Sequence, residues 1–310
     1  MNFFEIKKPN KSYQLDVSDL HSLYIEEYGS PSGSPVLFLH GGPGAGFSPE
    51  YQKYFDPKKY RLIIFDQRGC GQSRPYGETN QNTSQDLVDD INRILDFFNI
   101  DQTIVYGGSW GSTLALLYAQ HSPNRVRSLV LRGVFLCRKK DIEWFYQYGA
   151  SEVYPHYWAD YIKNIDSEKR VNILKAYKDL IFSEDKTISK NACREWATWE
   201  GKASCLELTD DVVKAFDDCS ISLARIESHF FVNDCFIKEN QIIDNIANIS
   251  HIPCFIVHGQ YDMVCPIRQA FDLKNVYTKA KLIIAKKSGH SLLEPEISKK
   301  IFDIFNNEKL

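Results

Sequence analysis

The chain has 310 residues, 43% of them hydrophobic and 25% charged, with a formal net charge of −3 and a pI of about 6.3. This is the composition of an ordinary folded globular protein with enough chain for a sizeable core, which excludes intrinsic disorder. There is no overall excess of Lys and Arg to suit a nucleic-acid partner, and no stretch approaches the length of a membrane span.

The start, Met1-Asn-Phe-Phe-Glu-Ile-Lys-Lys8, has no uninterrupted apolar run of the leader type, and we expect a cytoplasmic protein. Cys70, Cys137, Cys193, Cys205, Cys219, Cys235, Cys254 and Cys265 are scattered without a Cys-x-x-Cys pair, so neither a disulfide framework nor a zinc site is indicated. No metal, cofactor or oligomeric state is specified by the sequence.

Strand-like runs occupy Ser12–Val17, Leu23–Tyr28, Val36–Leu39 and Arg61–Phe65. The first two alternate, predicting a half-exposed antiparallel edge; the last two are continuously apolar, predicting a sheet centre covered on both faces. Ser84 can cap a helix whose apolar positions Leu87, Val88, Ile91, Leu95 and Phe98 follow the helical period. A buried strand, Thr103–Tyr106, and a helix over Thr113–Gln120 follow, then a strand at Ser128–Leu131.

After Gly133 strand patterns cease for about a hundred residues, and the chain reads as helical and aromatic, with Trp144, Trp158, Trp196 and Trp199 inside this stretch. Regular order resumes with the strand Cys254–Val257, a helix near Arg268–Tyr277, the strand Leu282–Ala285 and a helix over Glu296–Phe305. The expectation is an α/β protein: an eight-stranded, mostly parallel, doubly wound sheet with an inserted helical cap. Its core spans residues 1–133 and 239–310, and the cap spans 134–238.

In such sheets function gathers at the carboxyl ends of the strands, where four candidate segments lie. Gly107-Gly-Ser-Trp-Gly111 fits Gly-x-Ser-x-Gly between a strand and a helix, a turn that would lift the Ser109 hydroxyl out of the sheet. His40-Gly-Gly-Pro-Gly-Ala-Gly46 could present a backbone N–H, best from Gly42, to a developing oxyanion, with Trp110 after the nucleophile as second donor. The loop lacks the spacing and the Gly-Lys-Ser/Thr ending of phosphate-binding loops. Asp262 and His290 follow the last two strands, completing the chain order Ser, Asp, His of α/β hydrolases.

Other residues near these segments read differently. Asp66 and Arg68 sit in a glycine-rich turn and are expected to hold the turn itself. His258 could support the acid loop, and Cys265, three residues beyond Asp262, could report the site to thiol reagents. In the helical stretch Glu200 and Glu227 each adjoin large apolar groups. Spacing alone gives each the ordinary reading of a solvated surface charge, whereas two acids facing one cavity would attract a cation.

His40–Gly44, Asp66–Gly69, Gly107–Ser112, Trp196–Glu200, Ala224–Glu227, Gly259–Asp262 and Ser288–His290 together resemble the proline iminopeptidases, serine peptidases of the α/β-hydrolase fold, over nearly the whole chain. The resemblance implies release of N-terminal proline from peptides, with Ser109, Asp262 and His290 as triad and Gly42 and Trp110 as oxyanion donors. It further implies that Glu200 and Glu227 bind the substrate ammonium and that Phe135, Phe145 and Phe231 enclose the pyrrolidine ring, with Tyr146 and Phe230 as neighbours able to substitute. A family tryptophan is replaced by Gln85, a peripheral departure. The alternatives are an esterase or an aminopeptidase of other specificity on the same fold, or a non-catalytic binding protein.

Overall fold

The computed structural model describes residues 3–207 and 209–310. Among them, eight strands form one sheet: β1 (Lys11–Asp16), β2 (Ser22–Gly29), β3 (Ser34–Leu39), β4 (Tyr60–Phe65), β5 (Thr103–Gly108), β6 (Val126–Arg132), β7 (Cys254–Gly259) and β8 (Lys281–Ala285). Their spatial order is β1-β2-β4-β3-β5-β6-β7-β8, antiparallel from β1 through β4 and parallel thereafter.

The continuously apolar strands serve two cores at once, because successive side chains point to opposite faces. Leu37, Leu39, Ile63, Phe65 and Val105 enter one apolar cluster, while Val36, Phe38, Leu62, Ile64, Ile104 and Tyr106 enter the other. The first face is covered by α1 (Ser84–Phe97) and α2 (Trp110–His121), which contribute Leu87, Ile91, Leu114 and Tyr118.

Two expectations are corrected. The cap of α1 is Thr83, which forms a capping box with Asp86, and Ser84 instead donates to Cys235 O. The half-exposed edge is β1 alone. The alternation of β2 hides buried acids: Glu27 pairs with Arg61 at 2.7 Å, and Glu26 accepts from Tyr24 and Tyr28.

Between β6 and β7 the described residues are helical: α3 (Lys139–Tyr146), α4 (Ala150–Val153), α5 (Pro155–Ile162), α6 (Ile173–Ile181), α7 (Lys186–Ser204), α8 (Asp210–Val232) and α9 (Gln241–Asp244). The last helices are α10 (Arg268–Val276) and α11 (Pro295–Asn307), the second closing the other face of the sheet with Ile297, Ile301 and Phe305. Helices α6, α7 and α8 pack together, and aromatic contacts such as Tyr146–Trp196, stacked at 4.3 Å, fill their interior.

This helical layer lies over the strand ends. Ser222 Oγ donates to Gly44 O at 2.8 Å, Arg225 Nε to Gly77 O at 2.8 Å and Trp144 Nε1 to Met263 O at 2.9 Å. No helix among the described residues is long and apolar enough to cross a membrane.

Candidate active site

Ser109 stands between β5 and α2 with φ 58° and ψ −125°, a conformation that non-glycine residues adopt only when their surroundings impose it. The flanking glycines explain how. A Cβ on Gly107 would lie 2.1 Å from Gly111 O, and one on Gly111 would lie 2.2 Å from Leu39 O, so backbone passes backbone at both positions. The turn therefore presses against the end of β3 and the loop that follows it.

That loop is held by neutral donors and acceptors. His40 is buried, which pushes its imidazole down to about 4. Its Nε2 accepts Gln67 N–H at 3.0 Å, which leaves Nδ1–H to donate to Gly41 O at 2.8 Å. Gln67 completes the link: its amide nitrogen donates to His40 O and its oxygen accepts Trp110 Nε1–H, each at 2.9 Å. Gln67 was not singled out in the sequence, although it stands inside the Asp66 turn motif. Trp110 opens α2, so its N–H has no carbonyl within the helix to bond.

The reading of Asp66 and Arg68 as parts of the turn fits their contacts. Asp66 accepts Phe47 N–H and Gln72 N–H at 2.9 and 2.7 Å, and burial raises its carboxyl to about 6. Arg68 is locked to Asp90 of α1 by two bonds of 2.6 and 2.7 Å, both side chains buried. Gln85, on the exposed side of α1, is peripheral.

The loops after β7 and β8 bring Asp262 to His290, with Nδ1 and Oδ2 2.7 Å apart. The other carboxylate oxygen accepts Val264 and Cys265 N–H at 3.1 and 2.8 Å. Burial alone would raise the Asp262 carboxyl, but the charge and hydrogen bond of His290, helped by His258, outweigh it and hold it below the usual range. His258 supports this loop: Nδ1 accepts Val134 N–H at 3.1 Å, and Nε2–H donates to Cys265 O at 2.7 Å. Its burial favours the neutral ring.

His290 is also fixed through its backbone. Its N–H donates to Ser204 O at 2.8 Å, and its carbonyl accepts Arg132 Nη1 at 2.7 Å. Arg132 O in turn accepts Ser109 N–H at 2.8 Å, so one residue at the end of β6 touches both segments. Neither Arg132 nor Ser204 carried a motif signal; an arginine ending a buried strand was the only hint.

Glu200 on α7 and Glu227 on α8 are both buried, which overturns the solvated-surface reading that spacing alone gave them. Glu227 Oε2 accepts Trp196 Nε1 at 2.5 Å and the Tyr146 hydroxyl at 3.4 Å. Glu200 Oε2 is buried without a protein partner. Burial raises the Glu200 carboxyl to about 7, and burial together with the neighbouring Glu200 charge raises Glu227 strongly. Such a pair retains a proton at neutral pH until a cation compensates it.

One small, partly open cavity is lined by Gly42, Ser109, Glu200, Glu227, Phe135, Phe145 and Phe231. Tyr146, Ile142, Val264 and Cys265 form its apolar wall, and Asp141, already paired with Arg138 at 2.7 Å, also lines it. Of the two aromatic neighbours weighed, Tyr146 lines the cavity, whereas Phe230 packs on the Trp110 ring at 4.9 Å. Cys265 reaches the cavity, but burial raises its thiol well above the ordinary range. Chemically, the cavity joins a hydroxyl on a strained turn to an acidic, otherwise apolar recess that fits a small cationic group.

Residues 34–296 match the family model described as the alpha/beta hydrolase fold. Among solved structures, the chain aligns with a hydrolase from Pseudomonas aeruginosa at a TM-score of 0.68 and 18% identity, covering 96% of this chain and 99% of that one. It is 44% identical to the proline iminopeptidase of Arabidopsis thaliana over 98% of this chain and 80% of that protein. It is likewise 44% identical to that of Xanthomonas citri over 93% of both. Fold, strand-end geometry and full-length similarity agree: the chain belongs to the proline iminopeptidase family of α/β hydrolases.

Proposed function

We propose that this protein is a serine aminopeptidase that releases N-terminal proline from peptides through an acyl-enzyme on Ser109. The observation that carries the reading is the shared cavity, which sets Ser109 beside two buried carboxylates within apolar walls. A prolyl residue matches it: the pyrrolidine ring would pack against Phe135, Phe145, Phe231 and Tyr146, and its ammonium would meet Glu200 and Glu227. The residues between 134 and 238 act in this reading as a cap over the strand ends.

The Ser109 oxygen attacks the prolyl carbonyl while His290 Nε2 takes its proton, and the negative oxygen that forms is stabilised by the N–H groups of Gly42 and Trp110. Asp262 holds the imidazole tautomer and balances the imidazolium. His290 then gives the proton to the leaving amine as the C–N bond breaks. Water, deprotonated by His290, attacks the ester, and proline leaves with Ser109 restored. A buried ammonium site a fixed distance from Ser109 limits cleavage to the first residue. Eight free cysteines support a cytoplasmic setting.

The test is a panel of aminoacyl-arylamides, free and N-acylated, with wild type and Ser109→Ala. Prolyl-arylamide is expected to be cleaved, its N-acylated form refused, and Ser109→Ala inactive. Equal turnover of the blocked substrate would point to an esterase-like hydrolase without ammonium recognition. A folded protein with no turnover and no labelling of Ser109 by a serine-directed phosphonate would point to a binding protein.

A further inference from the structure

Helix α7 ends at Ser204, one turn beyond Glu200, and the last carbonyls of a helix must find partners outside it. The His290 loop supplies them: His290 N–H and Ser291 N–H both donate to Ser204 O, at 2.8 and 2.9 Å. A bond in the opposite direction comes from Glu294, whose Oε1 accepts Leu206 N–H at 2.8 Å.

The geometry of Glu294 is unusual for its position. It is the N-cap of α11, where an acid ordinarily accepts N–H groups from its own first turn, yet it makes no such bond. With 9% of its surface exposed, its side chain crosses instead to the end of α7. Gly289 lies in the gap, where a Cβ would fall 3.1 Å from Ser204 O and 3.3 Å from both Glu294 Oε1 and Leu206 N. The two segments are thus in close contact, tied by three hydrogen bonds of which only one depends on a side chain.

We propose that Glu294 is a positioning residue for acyl transfer: by holding the end of α7 against the His290 loop, it fixes the span between Glu200 and His290. The inference rests on the aminopeptidase reading above. A substrate anchored by its ammonium at Glu200 has its scissile carbonyl placed at Ser109, and His290 must then lie within a hydrogen bond of both Ser109 Oγ and the leaving nitrogen. Loss of the Glu294 bond lets the loop and helix drift apart while Glu200 still binds the ammonium. The defect therefore falls on turnover and spares binding.

Steady-state kinetics on prolyl-arylamide, normalised to folded protein by near-UV circular dichroism, provide the test. Glu294→Ala is expected to lower kcat at least about tenfold with KM within about twofold, because small misplacements of reacting groups are costly. Glu294→Gln keeps an oxygen that can accept Leu206 N–H and is expected to recover most of the loss. Should Glu294→Ala fail to fold, Glu294→Met, close in volume but without an acceptor, takes its place with the same expectation.

Unchanged kcat per folded molecule, a defect in KM alone, or a loss that Gln does not recover would overturn the proposal. These outcomes leave wild-type turnover intact and so are distinct from failure of the aminopeptidase reading. In that case wild type itself would leave prolyl-arylamide uncleaved, which would also overturn the Glu294 role.

Discussion

Glu200 and Glu227 are buried side by side on the adjacent helices α7 and α8, close enough for each to perturb the ionisation of the other. Neighbouring carboxylates in a low-dielectric recess cannot both ionise cheaply.

The first consequence concerns pH. The folded-state value of Glu200 is raised to about 7, so its favourable contribution is complete below the ordinary carboxylate range and is lost as pH rises through about 7. The loss is on the order of 3 kcal/mol. Thermal unfolding of the ligand-free protein between pH 5 and 8 should show wild type losing stability relative to Glu200→Gln. Binding of prolyl-arylamide should move the other way, strengthening, with KM falling, as the pair gains charge. A KM that is flat across pH 6 to 8 in wild type would count against an ionised pair as the ammonium anchor.

Asp262→Asn should lower kcat by about 10⁴ with little change in KM, since it leaves the cavity intact and removes the acceptor that sets the imidazole tautomer. Because Asp262 is held below the usual carboxylate range, it stays ionised at neutral pH and should not itself set the acid limb of the wild-type rate profile. Single-turnover acylation of Ser109 by a prolyl ester measures the effect directly.

Gly111→Ala places a methyl group where Leu39 O already sits, 2.2 Å away, and neither backbone can yield without moving the His40 loop or the serine turn. Overpacking of this kind costs about 1–3 kcal/mol or more. We expect a lower Tm together with at least a hundredfold loss of kcat/KM. Retention of full activity would show that the turn is far softer than its contacts imply.

Asp90→Ala separates stability from chemistry. It takes from a buried guanidinium the two bonds that tie the turn after β4 to α1, leaving it Asp86 at 3.4 Å and Gln81 O. Removing one partner of a buried pair costs about 3–5 kcal/mol, a fall in Tm on the order of 10 °C. The kcat/KM of the folded fraction should stay near wild type, and a selective loss of kcat would mean that Arg68 belongs to the reaction after all.

Much of this arrangement was legible because strand ends and glycines announce themselves. Ser109, Asp262 and His290 each follow a recognisable apolar strand, and the crowding at Gly107 and Gly111 is local to the motif. Glu200 and Glu227 were not legible from spacing, since their burial depends on how α7 and α8 pack, and only family resemblance named them. The buried acids of β2 were missed for a related reason: alternation marks polar positions but cannot say that Tyr28 and Arg61 wait to receive them. Contacts such as Arg132 with His290, and Ser204 with the same residue, join segments 158 and 86 positions apart and leave no trace in a linear pattern.

The strand order also carries a temporal meaning. From β5 onward each new strand joins the sheet at the same edge, β6 beside β5, β7 beside β6 and β8 beside β7, so the sheet is extended in the order in which a ribosome releases it. Ser109 is made early and waits on its turn through the synthesis of the helical layer and three further strands. His290, the base proposed for it, emerges 181 residues after it. A growing chain thus carries the serine well before the base proposed for it, and in this reading peptide cleavage has to wait for β8 and the loop that delivers the imidazole.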